Sequence, residues 1–317
     1  MEIKEFKWQI TPSIEKLLKE VDILKIIFEK LPLPESVLQI VRKRSFINSA
    51  VYSAQIENIP STVQAPRREG KNLELAYHWV YSFIKPEPIT VEIIKNLHKK
   101  TLDGLSGSAG QFRMEPWGIY NQAGILIQHT PLHTAVPSLV EELANYSNGL
   151  SGHPTLIAAI TQFIFEKIHP FADGNGRAGR LISAYILQTK GYGFKGLVPL
   201  EMYINKHRDV YYSVLEPARN CTDFIEFFLE ALIAQANQTL EELQNPPLDT
   251  PKNNLLPRRR ELLEVVTDHP ECSFDFLRRR FMNLSPISLH RDLKHLQELG
   301  LVDKLGSTRG AVYVAKS

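Results

Sequence analysis

Two apolar helical runs, Leu156 to Ile168 and Leu181 to Leu187, are separated by His169-Pro-Phe171-Ala-Asp173-Gly174-Asn175-Gly176-Arg177-Ala178-Gly179-Arg180. No packing rule asks for an imidazole, a carboxylate, two glycines about an asparagine and two guanidiniums in so short a space. The spacing predicts a tight loop between two buried helices, with Gly174-Asn-Gly-Arg177 opening the second. A helix start offers unpaired N–H groups and the positive end of the dipole, which together attract an anion. Gly174 and Gly176 let the backbone approach that anion, and Arg177 and Arg180 add charge suited to phosphate oxygens.

At 317 residues the chain can bury a large core and hold one big domain plus a small one. A content of 43% hydrophobic and 23% charged residues excludes disordered and collagenous classes. The net charge of +2 excludes a chain that coats polyanions along its whole length. Cys221 and Cys272 form no disulfide framework, which points to a reducing compartment. Met1-Glu-Ile-Lys-Glu-Phe-Lys7 lacks the order of a signal peptide, and no apolar run reaches the ~18 residues of a spanning helix. The expected location is cytoplasmic, with no membrane partner.

Helical periodicity dominates the chain. Residues 13–31 form one amphipathic run, stopped by Leu31-Pro-Leu-Pro34, and a second run goes from Glu35 toward Ala54. Ile59-Pro60 breaks the pattern after Ser53-Ala-Gln-Ile-Glu57-Asn58, whose polar residues, taken alone, read as an exposed helical face. Helices follow over 72–84, 86–102 and 136–146. Between the last two, Trp117 to Ile127 places two short apolar runs around a polar turn containing Gly124, which predicts a β-hairpin. After the loop, helices are expected around 206–215 and over 224–243.

Residues 245–254, rich in proline and without periodicity, read as a linker, and 255–317 as a second domain. That domain shows a helix from Arg258 to Thr267 and a second capped by Ser273. A third opens at Ser285-Pro286, carries Leu289, Leu293, Leu296 and Leu299 on one stripe, and ends at Gly300. Leu301 to Leu305 and Ala311 to Val314 make a terminal hairpin, so the pattern is that of a winged helix-turn-helix. From 252 to 317 there are twelve Lys and Arg against eight Asp and Glu, with clusters at Arg258-Arg-Arg260 and Arg278-Arg-Arg280. Such a face would suit DNA, although winged helices also serve as protein-contact modules.

A histidine closing an apolar helix is most often a packed core residue. Here a carboxylate and an anion-binding helix start lie within a few residues, and they turn the reading toward chemistry. Beside phosphates, a lone carboxylate such as Asp173 most naturally holds Mg²⁺, which takes one or two carboxylates and keeps several waters. Arg177 and Arg180, about one turn apart, reach the same side. There is no Gly-x-x-x-x-Gly-Lys-Ser/Thr loop and no kinase set. A base, an anion cradle and a metal carboxylate suit phosphoryl or nucleotidyl transfer.

The stretch His169 to Arg180 matches every fixed position of the Fic family's signature, H-x-F-x-D/E-G-N-G-R-x-x-R, and the chain is identified as resembling that family over roughly residues 30–235. The resemblance implies a mainly α fold, a helical bundle with a β-hairpin flap. It implies an N-terminal helical region, 1–70, ahead of a catalytic core at 71–244. It implies transfer of AMP from ATP to a hydroxyl side chain of a target protein, or of the enzyme itself, with release of pyrophosphate. His169 would be the base, Asp173 would hold Mg²⁺ or Mn²⁺, and Phe171 would fix the loop. Gly174, Asn175 and Gly176 would cradle phosphates, while Arg177 and Arg180, with Ala178 and Gly179 between them, would bind the outer ones. Gly124, Ile125, Leu126 and Ile127 would form the flap that aligns the target. Gly110-Gln-Phe-Arg113 resembles the family's G-x-F-R segment, and Tyr211-Tyr212 a tyrosine pair on the adenine side. The asparagine that often follows that pair is not matched, because the count falls on Arg219, with Asn220 next.

Ser53-Ala-Gln-Ile-Glu57-Asn58 also resembles the family's inhibitory pattern, S/T-x-x-x-E-G/N. The resemblance then pairs Glu57 with Arg180, so that a carboxylate and the γ-phosphate compete for one guanidinium. Two further readings stand beside a self-inhibited adenylyltransferase. One is a DNA-binding regulator whose Fic fold senses nucleotide; the other is a hydrolase that removes AMP, with Glu57 positioning water. The partners expected are ATP and a target protein, with a homodimer allowed and DNA at 255–317.

Overall fold

The computed structural model describes residues 1–59, 61–62, 68–83, 85–116, 118–120, 126–244, 255, 257–269, 271–282, 284–306 and 311–316. Two compact units emerge, a large one (Met1–Thr62 and Pro66–Glu241) and a small one on Glu242–Ser317. The linker expected at 245–254 lies outside the described residues.

The large unit is helical: α1 (Pro12–Lys30), α2 (Glu35–Ile56), α3 (Arg68–Val80), α4 (Val91–Thr101), α5 (Val136–Gly149), α6 (Pro154–Ile168), α7 (Asn175–Thr189), α8 (Leu200–Lys206), α9 (Arg208–Leu215) and α10 (Thr222–Gln244). One hairpin, β1 (Gly118–Tyr120) with β2 (Leu126–His129), pairs Gly118 with His129 and Tyr120 with Leu126. The turn between these strands, with Gly124 and Ile125, lies outside the described residues.

The helices start where side chains relieve their orphan N–H groups. Thr11 Oγ1 accepts from the Ile14 N–H at 3.1 Å ahead of Pro12, and Thr90 Oγ1 accepts from Ile93 at 3.2 Å. The centre is the α6–α7 pair. In each of these helices thirteen of fifteen residues are buried, all round the axis rather than along one stripe. Helices α2, α3, α4 and α5 cover the pair, α10 meets α6 where Phe224 lies on Phe163 (ring centroids 5.6 Å), and α2 meets α7 where Ser53 accepts from Arg180.

Helix α2 ends in a way that explains its last two motif positions. Glu57 caps it, and Asn58 follows in the left-handed region at φ +58°. The Asn58 N–H donates to the Gln55 carbonyl (2.9 Å) and the Ile59 N–H to the Ala54 carbonyl (3.0 Å), the paired bonds of a Schellman stop. Glycine or asparagine suits that position because the backbone there turns left-handed. The stop aims Glu57 inward.

The small unit holds α11 (Pro257–Asp268), β3 (Cys272–Ser273), α12 (Phe274–Arg280), α13 (Pro286–Glu298), β4 (Val302–Leu305) and β5 (Val312–Ala315). Its sheet has the order β3-β5-β4 and is antiparallel, so the terminal hairpin gains a third strand. Leu262, Val266, Leu277, Leu289, Leu293, Leu296 and Val302 form its core.

Candidate functional site

The loop from His169 to Gly174 runs between two left-handed residues. His169 caps α6 at φ +49°, ψ +62°, and Gly174 precedes α7 at φ +74°. A left-handed histidine costs free energy unless its surroundings hold it. Arg113 does so: buried at 4% exposure, it donates from Nε to the His169 carbonyl (2.8 Å) and from its terminal nitrogens to Glu115 O (3.0 Å) and Pro131 O (2.6 Å). The Arg113 N–H also donates to Pro170 O at 2.9 Å. Asn175 closes the loop from inside, accepting from the Phe171 N–H at 2.9 Å and donating to the Phe171 carbonyl at 2.8 Å. Its carboxamide is thereby committed to the loop, leaving its backbone N–H to the cradle.

By helix geometry the N–H groups of Asn175, Gly176 and Arg177 have no acceptor within α7. They form the cradle, and Glu57 sits against it: a Cβ on Gly176 would collide with the Glu57 carboxylate. The Glu57 Oε1 lies 3.0 Å from a terminal nitrogen of Arg180. That guanidinium is buried, with 1% of the side chain exposed against 29% for Glu57. It also donates from Nε to Ser53 Oγ (3.0 Å) and from a terminal nitrogen to Ser53 O (2.9 Å). Its remaining terminal nitrogen is buried without a hydrogen-bond partner, beside Gly176. Burial alone would lower the Arg180 pKa; Glu57 reverses that and holds it above the ordinary value. The arrangement is a preformed anion site filled by the protein's own carboxylate.

Arg177 is also buried, and donates to Asp173 Oδ1 at 3.1 Å. Asp173 is open to solvent, 71% exposed, and its Oδ1 also accepts from the Gly174 N–H at 2.6 Å. Among the described residues no group of three or more His, Cys, Asp or Glu side chains could enclose a metal ion. Asp173 alone fits a hard divalent cation that takes its other ligands from phosphates and water.

His169 is held neutral. Burial pushes its pKa down to about 4, against an opposing push from the Glu166 carbonyl. Its Nδ1 is buried without a hydrogen-bond partner.

Of the tyrosine pair, Tyr211 belongs to the core. It is 1% exposed, and its hydroxyl accepts from Gln162 Nε2 at 3.2 Å. Tyr212 is half-buried and donates to the Ile56 carbonyl at 3.0 Å, tying α9 to the end of α2. Arg208 adds a bond to Asn58 Oδ1 (2.6 Å), and Asn205 one to Gln55 Oε1 (3.2 Å). Arg219 and Asn220 are engaged elsewhere: the Arg219 carbonyl accepts from the Lys7 N–H at 2.8 Å, and Asn220 Oδ1 accepts from the Thr222 N–H at 3.1 Å. The backbones of Leu126 and Ile127 lie in β2.

Two residues escaped the sequence reading. Glu166, on the last turn of α6, reaches the α7 face at Gly179, where a Cβ would collide with its carboxyl group. Burial, followed by the nearby Glu57 charge, pushes its pKa up to about 8. His98, on α4, is 1% exposed and stacks on Phe171 with ring centroids 3.7 Å apart and planes 3° from parallel. Glu166 lies three residues before a histidine already singled out, so its spacing was a usable signal; His98 offered none.

A model of the Fic/DOC family matches residues 88–187, the segment that holds the loop. The protein adenylyltransferase Fic of Drosophila willistoni is 25% identical over 240 residues, covering 68% of this chain and 46% of that protein. The protein of the same name from Aedes aegypti is 28% identical over 155 residues, covering 46% and 28%. The chain thus spans less than half the length of these curated relatives. In fold it is similar to a Fic family protein from Desulfovibrio desulfuricans G20, with TM-score 0.66 and 22% identity over 98% of this chain and 97% of that one. It is also similar to Fic-1 (residues 134–508) from C. elegans, with TM-score 0.60 and 19% identity over 73% of each. The family match places a Fic domain at residues 88–187, around the His169–Arg180 loop, and the relatives and the helical architecture agree with it.

Proposed function

We propose that this protein is an adenylyltransferase, transferring AMP from ATP to a hydroxyl side chain of a target protein or of itself, and that Glu57 holds it off at rest. The observation that carries the reading is the Arg180–Glu57 pair, 3.0 Å apart, with its carboxylate over the Gly176 cradle. A γ-phosphate and Glu57 compete for one guanidinium, so productive seating of ATP requires the pair to open. His169, neutral at pH 7, accepts the proton of a Ser, Thr or Tyr hydroxyl. The oxygen forms a bond to the α-phosphorus as the α–β phosphoanhydride bond breaks, and pyrophosphate leaves. The N–H groups of α7 and both arginines hold phosphate oxygens. Asp173 would hold Mg²⁺ or Mn²⁺, which offsets phosphate charge when bound. The buried free cysteines suit a cytoplasmic setting, and among the described residues no helix is long and apolar enough to cross a membrane.

Incubation with α-³²P-ATP and Mg²⁺ tests the reading. Glu57→Gly raises label on protein by about tenfold or more, the effect of one charged hydrogen bond. His169→Ala in that background lowers it by a factor of about 10²–10⁴. Label that ignores both changes sinks the proposal, and label only from γ-³²P-ATP makes the protein kinase-like. Loss of AMP from pre-labelled protein, abolished by Glu57→Gly, would favour the hydrolase.

The small unit supports a second reading, a winged-helix regulator that binds DNA. His290, Arg291 and Lys294 lie exposed on α13, with Arg278, Arg279 and Arg280 exposed on α12. Against it, Arg258 and Arg259 are both spent on the buried Asp292. A gel shift lost on deleting 252–317, with no transfer by Glu57→Gly, would favour this reading.

A further inference from the structure

We propose that His98 is a positioning residue for the nucleotide loop, acting through a single neutral tautomer that splints Asp173 to the Gly110 turn. Its two ring nitrogens face partners of opposite kind. The Gly110 N–H, a donor only, lies 2.9 Å from Nδ1, and the Asp173 carbonyl, an acceptor only, lies 2.8 Å from Nε2. Only an imidazole protonated at Nε2 and bare at Nδ1 satisfies both. The tautomer follows from the two backbone partners.

The ring face does separate work. It stacks on Phe171, which is itself bounded by Phe112 (centroids 5.5 Å) and Phe165 (6.2 Å). Gly110 completes the splint: at φ +79°, any side chain there would press on Lys99 Cβ and the Lys95 carbonyl, so glycine lets the turn lie on α4. Three residues later Arg113 holds the His169 carbonyl. One short segment, from Gly110 to Arg113, is therefore fastened to both ends of the loop. Arg113 reaches the end that carries the imidazole, and His98 the end that carries Asp173. Because Gly174 and the first N–H groups of α7 follow Asp173 directly, fixing the Asp173 carbonyl fixes where the cradle begins.

The proposal rests on the nucleotide reading of the loop for its binding readout alone. Asparagine and glutamine separate the two bonds, since Asn places its terminal atoms near the Nδ1 position and Gln near Nε2. His98→Gln keeps a donor for Asp173, whereas His98→Asn keeps an acceptor for Gly110. In the full chain carrying Glu57→Gly, ATP affinity measured by calorimetry should fall less than threefold for His98→Gln and tenfold or more for His98→Asn. Equal losses in the two variants, or losses that simply follow their melting temperatures, overturn it. Two readouts stand apart from nucleotide. Long-range ¹H–¹⁵N spectra of the unaltered chain should show His98 protonated at Nε2, and an Nδ1-protonated ring refutes the splint. Amide exchange at Ala178, whose N–H donates to the Gly174 carbonyl at 3.0 Å, should quicken at least tenfold in His98→Asn relative to His98→Gln, and equal rates again refute it. If Glu57→Gly binds no ATP at all, the nucleotide reading fails, while these two measurements still decide the role of His98.

Discussion

In the small unit the buried member of the ion pair is the anion; in the large unit it is the cation. Asp292, fully buried, receives Arg258 and Arg259 at 2.5 and 2.9 Å, and both arginines keep part of their surface in water, 36% and 17%. Burial would raise the Asp292 pKa, and the two guanidiniums hold it below the ordinary value. Arg180 is the reverse: a cation with 1% exposure whose carboxylate partner, at the C-terminal end of a helix, is 29% exposed. A buried anion with two cations cannot exchange partners without leaving a charge stranded. A buried cation whose anion stands at the rim can, because another anion arriving from solvent can take the carboxylate's place. The first pair is a staple; the second has the layout of a switch.

The largest effect should come from breaking the staple. Arg258→Met together with Arg259→Met leaves Asp292 buried without a cation, at a cost of about 3–5 kcal/mol. Amide protection across α11 and α13 should fall by about two to four orders of magnitude. Added ATP or pyrophosphate should restore none of it. Protection within tenfold of the unaltered chain would remove the staple from the comparison.

Glu57→Gln tests the other half. It leaves Arg180 buried beside a neutral amide, and the resting protein should lose about 2 kcal/mol, less than for a stranded Asp292 because Ser53 Oγ and the Ser53 carbonyl still accept from the guanidinium. Here an external anion should rescue. ATP at a hundred times its dissociation constant contributes about 2.7 kcal/mol. If phosphate and Glu57 share Arg180, as proposed, the ATP-induced rise in melting temperature should be larger in the variant. Equal rises in the two proteins would mean that phosphate and Glu57 do not share Arg180.

How far each half was legible in the chain follows from the same contrast. His169 to Arg180 carries its chemistry in fixed spacing, and a loop between two buried helices has few ways to arrange it. Ser53 and Glu57 were readable only together with that loop, because alone they look like any solvated helical face. Arg258 and Arg259 misled: a run of arginines reads as basic surface, and nothing in the spacing discloses the Asp292 that binds them thirty-odd residues on. Strand β3 was missed because two residues, Cys272 and Ser273, cannot show a period of two. The helices were visible through apolar periodicity. His98 was not, since a single histidine near a helix end says nothing about the two backbone groups it joins.

Glu166 gives the smallest effect and the sharpest question about Arg180, namely whether a second anion shares it at rest. Its carboxyl group lies against α7 at Gly179, where burial and Glu57 push its pKa up to about 8, and Arg180 and Lys167 oppose that shift. Another neighbour, Glu201, is likewise raised by burial and accepts from the Tyr77 hydroxyl at 2.5 Å. Near neutral pH Glu166 therefore keeps its proton, and Glu57 supplies the negative charge that Arg180 pairs with. A raised carboxyl pKa means that between about 4.5 and 8 the folded chain binds a proton that the unfolded chain has lost. Stability from this group is thus complete below the unfolded value and declines as pH rises through 8, by at most about 1.4 kcal/mol per pH unit. Glu166→Gln, close in shape and uncharged, should remove the decline. Urea melts at pH 6.5, 7.5 and 8.5 should show the variant gaining on the unaltered protein by about 1 kcal/mol per unit. His98 and His169, with pKa values pushed to about 4, change protonation below this window and act equally on both proteins. Parallel stability curves would mean that Glu166 is ionised in the resting state, and that Arg180 already stands between two carboxylates before any nucleotide arrives.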